Sequence, residues 1–161
     1  MCIHLHLNLL PDQHIMKKIT LATLVLLTST FISPIFASEA NITVEDAWIS
    51  EAPPVSKVMV AYMTIINNGD KAIEITNAGS YTYSSIEFHE TIHEDGMARM
   101  VRYEEIPIPA HGKVQFKRGG KHFMLFNPTK HLKAGDTVKM KLTTSDKKTK
   151  IISVPVEKAQ Y

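Results

Sequence analysis

The sequence predicts an all-β fold, an antiparallel sandwich or barrel, on two observations. Short segments rich in Val, Ile, Thr and aromatic residues alternate with clusters of turn-forming residues along most of the chain. No window of 11 or more residues shows the apolar period of a helix. Strands of about eight residues with turns at this spacing are typical of a sandwich or a barrel.

The predicted strands follow one another closely along the chain. In order, they are residues 42–50, 58–67, 72–79, 85–92, 98–106, 113–118, 122–127, 137–144 and 150–156. The predicted turns between them contain Pro53-Pro54, Asn68-Gly69-Asp70, Asp95-Gly96, residues 107–112, Gly119-Gly120, Gly135-Asp136 and Asp146. Several strands alternate apolar and polar residues, so each can bury one face. We expect Trp48 and Tyr62 to pack in the core or against the sheet.

The first 37 residues have the character of an export signal. From Met16 the chain reads Lys17-Lys18, then an apolar run, then small residues ending at Ala37. We expect cleavage after Ala37, because the apolar run is shorter than the roughly 20 residues that span a bilayer. Residues 1–15 are either an extended n-region of the signal or a misassigned start, with Met16 as the alternative initiator. The domains are therefore 1–15, 16–37 and a mature sandwich of 38–161.

Charge and cysteine content exclude several classes of function. The chain has 18 Lys and Arg against 16 Asp and Glu, a net charge of +2, which is too small for the basic surface of a nucleic-acid binder. The single cysteine is Cys2, which lies before the predicted cleavage point. A disulfide framework, a thiolate zinc site and a cysteine nucleophile are excluded from the mature chain.

Two histidines and two methionines form the most informative pattern. His122 and Met124 are two residues apart in a predicted strand, so their side chains share one face. Gly119-Gly120 allows a sharp turn just before them. His89 lies in a strand whose core candidates are its apolar neighbours, so its imidazole should project away from the core. Ten residues separate His89 from Met100, and 21 separate Met100 from His122.

This spacing, His-x10-Met-x21-His-x-Met, resembles the signature of periplasmic copper chaperones of the CuA-assembly type, the PCuAC family. Other segments are similar to that family as well. They are Ala47-Trp48, Ala52-Pro53-Pro54, Ala61-Tyr62-Met63, Asn67-Asn68-Gly69, His89-Glu90-Thr91, residues 96–100, Ile108-Pro109 with Gly112, residues 119–122 and residues 132–136. The resemblance extends from about Val44 to Val156.

The resemblance implies a cupredoxin-like Greek-key sandwich that holds one Cu(I) ion through His89, Met100, His122 and Met124. Thioether sulfur and imidazole nitrogen suit a soft monovalent ion, whereas thioethers bind zinc weakly. Methionine forms no disulfide, so such a site persists in an oxidising compartment. A blue-copper centre would need a cysteine thiolate, which the mature chain lacks.

The function implied is that of a periplasmic copper carrier, not an enzyme, and we expect a monomer without a membrane span. It would pass copper by ligand exchange to an acceptor such as a cytochrome c oxidase subunit, where the CuA centre is assembled, or a thiol-based assembly factor. Copper buffering or tolerance is the alternative function. A second copper site in the C-terminal tail is not expected, because residues 154–161 contain no Met or His.

A zinc protease is the remaining alternative. Residues 89–93, His-Glu-Thr-Ile-His, match the His-Glu-x-x-His motif, which binds zinc only on a helix. On a strand the two imidazoles would be about 13 Å apart. The local sequence favours a strand, and Arg99 stands where a third ligand would be needed. His93 and Met97 flank the copper pattern as possible additional ligands.

Overall fold

The computed structural model describes residues 39–159, and the predicted signal segment and its cleavage point lie outside that range. Ten strands follow in chain order. They are β1 (Ile42–Ser50), β2 (Val58–Asn67), β3 (Ile73–Gly79), β4 (Tyr83–Glu94), β5 (Met97–Tyr103), β6 (Ile106–Ile108), β7 (Lys113–Phe116), β8 (Lys121–Pro128), β9 (Thr137–Thr144) and β10 (Thr149–Glu157). None of the described residues forms a helix long and apolar enough to cross a bilayer.

The strands form one hydrogen-bonded path in the order β5-β4-β8-β2-β1-β10-β9-β3-β6, with β7 beside β2. All pairings are antiparallel except that of β1 with β10, which is parallel and short, at Ile49 with Val156 and Ser50 with Glu157. This junction divides the path into a half containing β5, β4, β8, β2 and β1 and a half containing β10, β9, β3 and β6. The all-β sandwich is confirmed, and the parallel pair is an addition to the antiparallel prediction.

Both halves contribute to one apolar core. Ile65 of β2 and Leu142 of β9 are fully buried in the same cluster. Met59, Met63 and Met140, which are unbranched and fill irregular gaps well, are also buried there. A bulge in β1 at Asp46, which has a φ of 51°, changes the alternation of that strand.

The prediction of one continuous strand over residues 98–106 was wrong. Residues 98–106 are two strands, β5 and β6, which lie in different halves of the sheet. The chain leaves β4 after Tyr103 and joins β3 at Ile106, because Ile106 and Ile108 bury their side chains in the core. Pro107, predicted to be in a turn, lies in β6 opposite Glu74. Because β6 is an edge strand, the missing N–H of proline costs no pairing there.

Candidate metal centre

The edge of the first half carries the candidate centre on the face that points away from the core. His89 of β4 lies directly opposite His122 of β8. Residues directly opposite in an antiparallel pair share a face, and the two imidazole rings are stacked with centroids 6.1 Å apart. Phe123 points the other way and is fully buried against Phe116.

The two methionines lie on the same face from either side of the histidines. Met100 of β5 is opposite Thr91, which is two residues from His89 and therefore on its face. Met124 is two residues from His122 and lies opposite Glu87. The fold thus brings all four predicted residues to one patch across three adjacent strands.

Exposure is uneven across this patch. The side chain of His89 is 13% exposed, and His122 is buried, although both point away from the core. Met100 is 53% exposed and belongs to the edge strand of the sheet. The patch is therefore open to solvent on the side of Met100 and closed on the side of His122.

The ring of His122 is oriented by the turn that precedes it. Its Nδ1 is 2.9 Å from the carbonyl oxygen of Gly120, to which it donates as an N–H. The same carbonyl accepts the backbone N–H of Thr91 at 3.2 Å. With Nδ1 protonated, Nε2 of His122 carries the free lone pair, an arrangement common for histidines that bind metals.

His89 has a different set of partners, which the sequence pattern did not predict. Its Nε2 is 2.9 Å from a carboxylate oxygen of Glu87, two residues earlier on the same face. Its Nδ1 is the one buried side-chain nitrogen or oxygen in residues 39–159 without a hydrogen-bond partner. Strand alternation could have identified Glu87, because residues i and i+2 share a face.

A charged pair on the core-facing side supports these strands. Lys121 is opposite Glu90, with Nζ 2.6 Å from the carboxylate, and its ammonium lies 5.2 Å from the ring centroid of Tyr103. The hydrogen bond from Lys121 lowers the pKa of Glu90 despite partial burial, which acts in the opposite direction. The pair joins β4 to β8 beside the two histidines.

The zinc-protease arrangement is not formed. His89 and His93 both lie in β4, so they are about 13 Å apart along a strand and cannot share an ion. Within the described part of the chain, no group of three or more His, Cys, Asp or Glu side chains could hold a metal.

The flanking residues are less favourably placed. His93 is on the face of His89 but exposed, and Met97 is opposite Glu94, on the other face of the hairpin. His111 and His131 are exposed and lie in loops outside β4, β5 and β8.

A family model described as "Putative lipoprotein LpqE-like" matches residues 42–156, most of the chain. The chain belongs to the LpqE-like family. The curated relative "Uncharacterized protein RP573" of Rickettsia prowazekii (strain Madrid E) is 34% identical over 96 residues, which cover 59% of this chain and 53% of RP573. The LpqE-like chain thus matches about half the length of that relative.

Solved structures, a PCuAC domain among them, are similar to the LpqE-like chain. The copper-bound PCuAC domain from PmoF2 is 21% identical with a TM-score of 0.63, covering 76% of this chain and 97% of that domain. The solution structure of CuI-DR1885 from Deinococcus radiodurans is 31% identical with a TM-score of 0.59, covering 71% of this chain and 76% of DR1885. The resemblance to the PCuAC family and the cupredoxin-like fold predicted from sequence are confirmed.

Proposed function

We propose that this protein is an exported Cu(I) carrier that binds one ion through His89, Met100, His122 and Met124. The observation that supports it best is the convergence of these two imidazoles and two thioethers on one face of β5, β4 and β8. The similarity to DR1885, whose structure was solved with CuI, supports the choice of metal. The donor set is neutral and soft, as Cu(I) prefers and as zinc does not.

The uneven exposure of the patch suits transfer. Met100 is reachable from solvent, whereas His122 is buried, so an incoming ligand would displace the Met100 sulfur first. The ion would then pass to the acceptor by stepwise exchange, with no net redox change. We propose a periplasmic location and an acceptor on the route to the CuA centre of cytochrome c oxidase, with no enzymatic step.

An anaerobic Cu(I) titration against a competing chromophoric chelator tests the ligand set, with Zn(II) titrated in parallel. The wild-type protein should bind one equivalent of Cu(I) tightly and zinc weakly. The double variant Met100→Ile/Met124→Ile should lose Cu(I) affinity by more than about 100-fold. Mutation of a residue that only hydrogen-bonds to a metal ligand typically lowers metal affinity by about 10–100-fold, and loss of two ligands should cost more. Met97→Ile is the matched control, since Met97 is in the same hairpin but on the other face.

Two results would contradict this ligand set. Undiminished Cu(I) affinity in the double variant would exclude the methionines. Preferential tight binding of zinc by the wild-type protein would require a different donor set.

A deletion strain tests delivery against buffering. Loss of a delivery protein should lower oxidase activity under copper limitation, and complementation with the double variant should not restore it. Sensitivity to excess copper with normal oxidase activity would instead indicate buffering.

A further inference from the structure

The environment of His89 restricts where its proton can be. Nε2 lies 2.9 Å from Oε2 of Glu87, and Nδ1 is buried without a partner. A proton on Nδ1 would leave a buried donor without an acceptor and would place the Nε2 lone pair against a carboxylate. A neutral ring with its proton on Nε2 avoids both costs.

Glu87 is itself held in place from the neighbouring strand. Arg102 of β5 lies directly opposite His89, and its guanidinium nitrogen is 3.4 Å from the other carboxylate oxygen, Oε1. This contact leaves Oε2 directed at the imidazole. Glu87 also lies opposite Met124, so it is placed among the proposed ligands without being one of them.

We infer that Glu87 is a positioning residue that accepts a hydrogen bond from the Nε2–H of His89 and leaves Nδ1, with its free lone pair, as the atom that binds the ion. His122, whose Nδ1 donates to the Gly120 carbonyl, then binds through Nε2. The two histidines therefore present different ring nitrogens, one selected by a carboxylate and the other by a backbone carbonyl. This inference rests on the proposed function for the identity of the metal, but the tautomer is a property of the protein alone.

The first test needs no metal and no variant. Long-range ¹⁵N–¹H correlation spectra of the purified, copper-free protein at pH 8, where imidazoles are neutral, report which nitrogen carries the proton. We expect His89 to be protonated on Nε2 and His122 on Nδ1. A proton on Nδ1 of His89 would overturn the inference.

The second test compares two substitutions of Glu87 in the chelator competition. Glu87→Leu removes the acceptor and should reduce Cu(I) affinity by about 10–100-fold and abolish the Nε2-protonated preference of His89. Glu87→Gln retains an amide oxygen that can accept the same hydrogen bond, so the His89 tautomer and the Cu(I) affinity of this variant should stay near the wild-type values. A loss in Glu87→Gln as large as that in Glu87→Leu would overturn the hydrogen-bonding role.

A second histidine–carboxylate pair provides the matched control. Nε2 of His111 lies 3.0 Å from Asp70, but this pair is exposed and remote from the patch. Asp70→Asn should leave Cu(I) affinity unchanged. If the wild-type protein and Glu87→Leu bind Cu(I) with the same tight affinity, the role of Glu87 is overturned but the proposed function is not. If the wild-type protein does not bind Cu(I), the proposed function is overturned.

Discussion

Gly119 and Gly120 are adjacent in the turn before His122, but only one of them has a backbone conformation that requires glycine. Gly119 has a φ of +70°, and the space around it is open. Gly120 has no such φ, and an added Cβ would meet Lys117 only at 3.6 Å or more. The sequence shows two equivalent glycines, whereas the structure assigns the sharp turn to the first.

Gly119→Ala should therefore lower the free energy of unfolding by about 1 kcal/mol, because a left-handed backbone is unfavourable for alanine. Gly120→Ala is the matched control and should change it by less than about 0.5 kcal/mol. Urea unfolding of both variants checks the difference. Equal effects would show that the turn does not depend on the φ of Gly119.

Single residues also show which parts of the candidate centre can be predicted from sequence. His122 and Met124 share a face because they are two residues apart in a strand, and this needs no tertiary information. His89 and His122 belong to strands that are adjacent in the sheet but far apart in the sequence. Only the resemblance to a known family suggested that these two residues come together. Glu87 was missed because a carboxylate two residues before a histidine is common on a strand. Its importance becomes visible only from the structure, in which Nδ1 of His89 is buried without a hydrogen-bond partner.

At the scale of elements, Asn67 connects the end of β2 to the loop between β6 and β7. Its amide nitrogen donates to the carbonyl oxygens of Lys71 at 2.8 Å and Pro109 at 3.0 Å, and its amide oxygen accepts the N–H of Gly69 at 2.9 Å. Asn67 itself is buried, and its hydrogen bonds to the three backbone groups are partly buried. One side chain therefore provides hydrogen-bond partners for backbone groups in two loops.

Asn67→Ala should lower the free energy of unfolding by about 2–4 kcal/mol, since several backbone groups lose their partner at once. Asn68→Ala is the control, because the neighbouring amide makes an exposed hydrogen bond to Thr43. It should cost less than about 1 kcal/mol. Chemical denaturation would contradict this account if the two variants were equally destabilised.

The hairpin between β9 and β10 is stabilised by an acid-sensitive contact. The hydroxyl of Thr144 donates to Asp146 at 2.6 Å, and this hydrogen bond, followed by that from Lys148, lowers the pKa of the Asp146 carboxyl. The carboxyl protonates less readily in the folded state than in the unfolded state. Its contribution is therefore present above the ordinary Asp pKa and is lost as the pH falls through the folded value.

Asp146→Ala should cost about 1 kcal/mol or less at pH 7, and the cost should diminish at acidic pH, as the pH falls through the lowered pKa that the carboxyl has in the folded state. Denaturation of the single variants and of Thr144→Val/Asp146→Ala at pH 7 and at acidic pH isolates the coupling between the two side chains. A coupling independent of pH would contradict the role of the ionised carboxyl.

The elements also show where sequence patterns reach their limit. Strands β1, β2 and β9 were predicted with the bounds that the structure has, because Gly, Pro or Asp residues mark their ends. The division between β5 and β6 was missed because Glu104-Glu105 has no turn-forming residue. Pro107 was assigned to a turn because only the sheet order reveals that β6 is an edge strand.

For the whole molecule, the strand order places the candidate centre at one end of the sheet. Met100 belongs to the terminal strand β5, whereas His122 belongs to β8, which has neighbours on both sides. An ion bound by both would connect the edge strand to the interior of the sheet. Copper should therefore stabilise the fold as well as occupy its patch.

Because an ion that binds only the folded state stabilises it by RT ln(1 + [L]/Kd), free Cu(I) at 1,000 times Kd should add about 4 kcal/mol to the free energy of unfolding. Anaerobic thermal unfolding with chelator-buffered Cu(I) measures this as a rise in Tm that increases with the free metal concentration. The Met100→Ile/Met124→Ile variant should show no such rise, and Zn(II) should give a smaller one than Cu(I). An equal rise in the double variant would mean that copper stabilises the protein from another site, because the variant lacks both of the proposed thioether ligands.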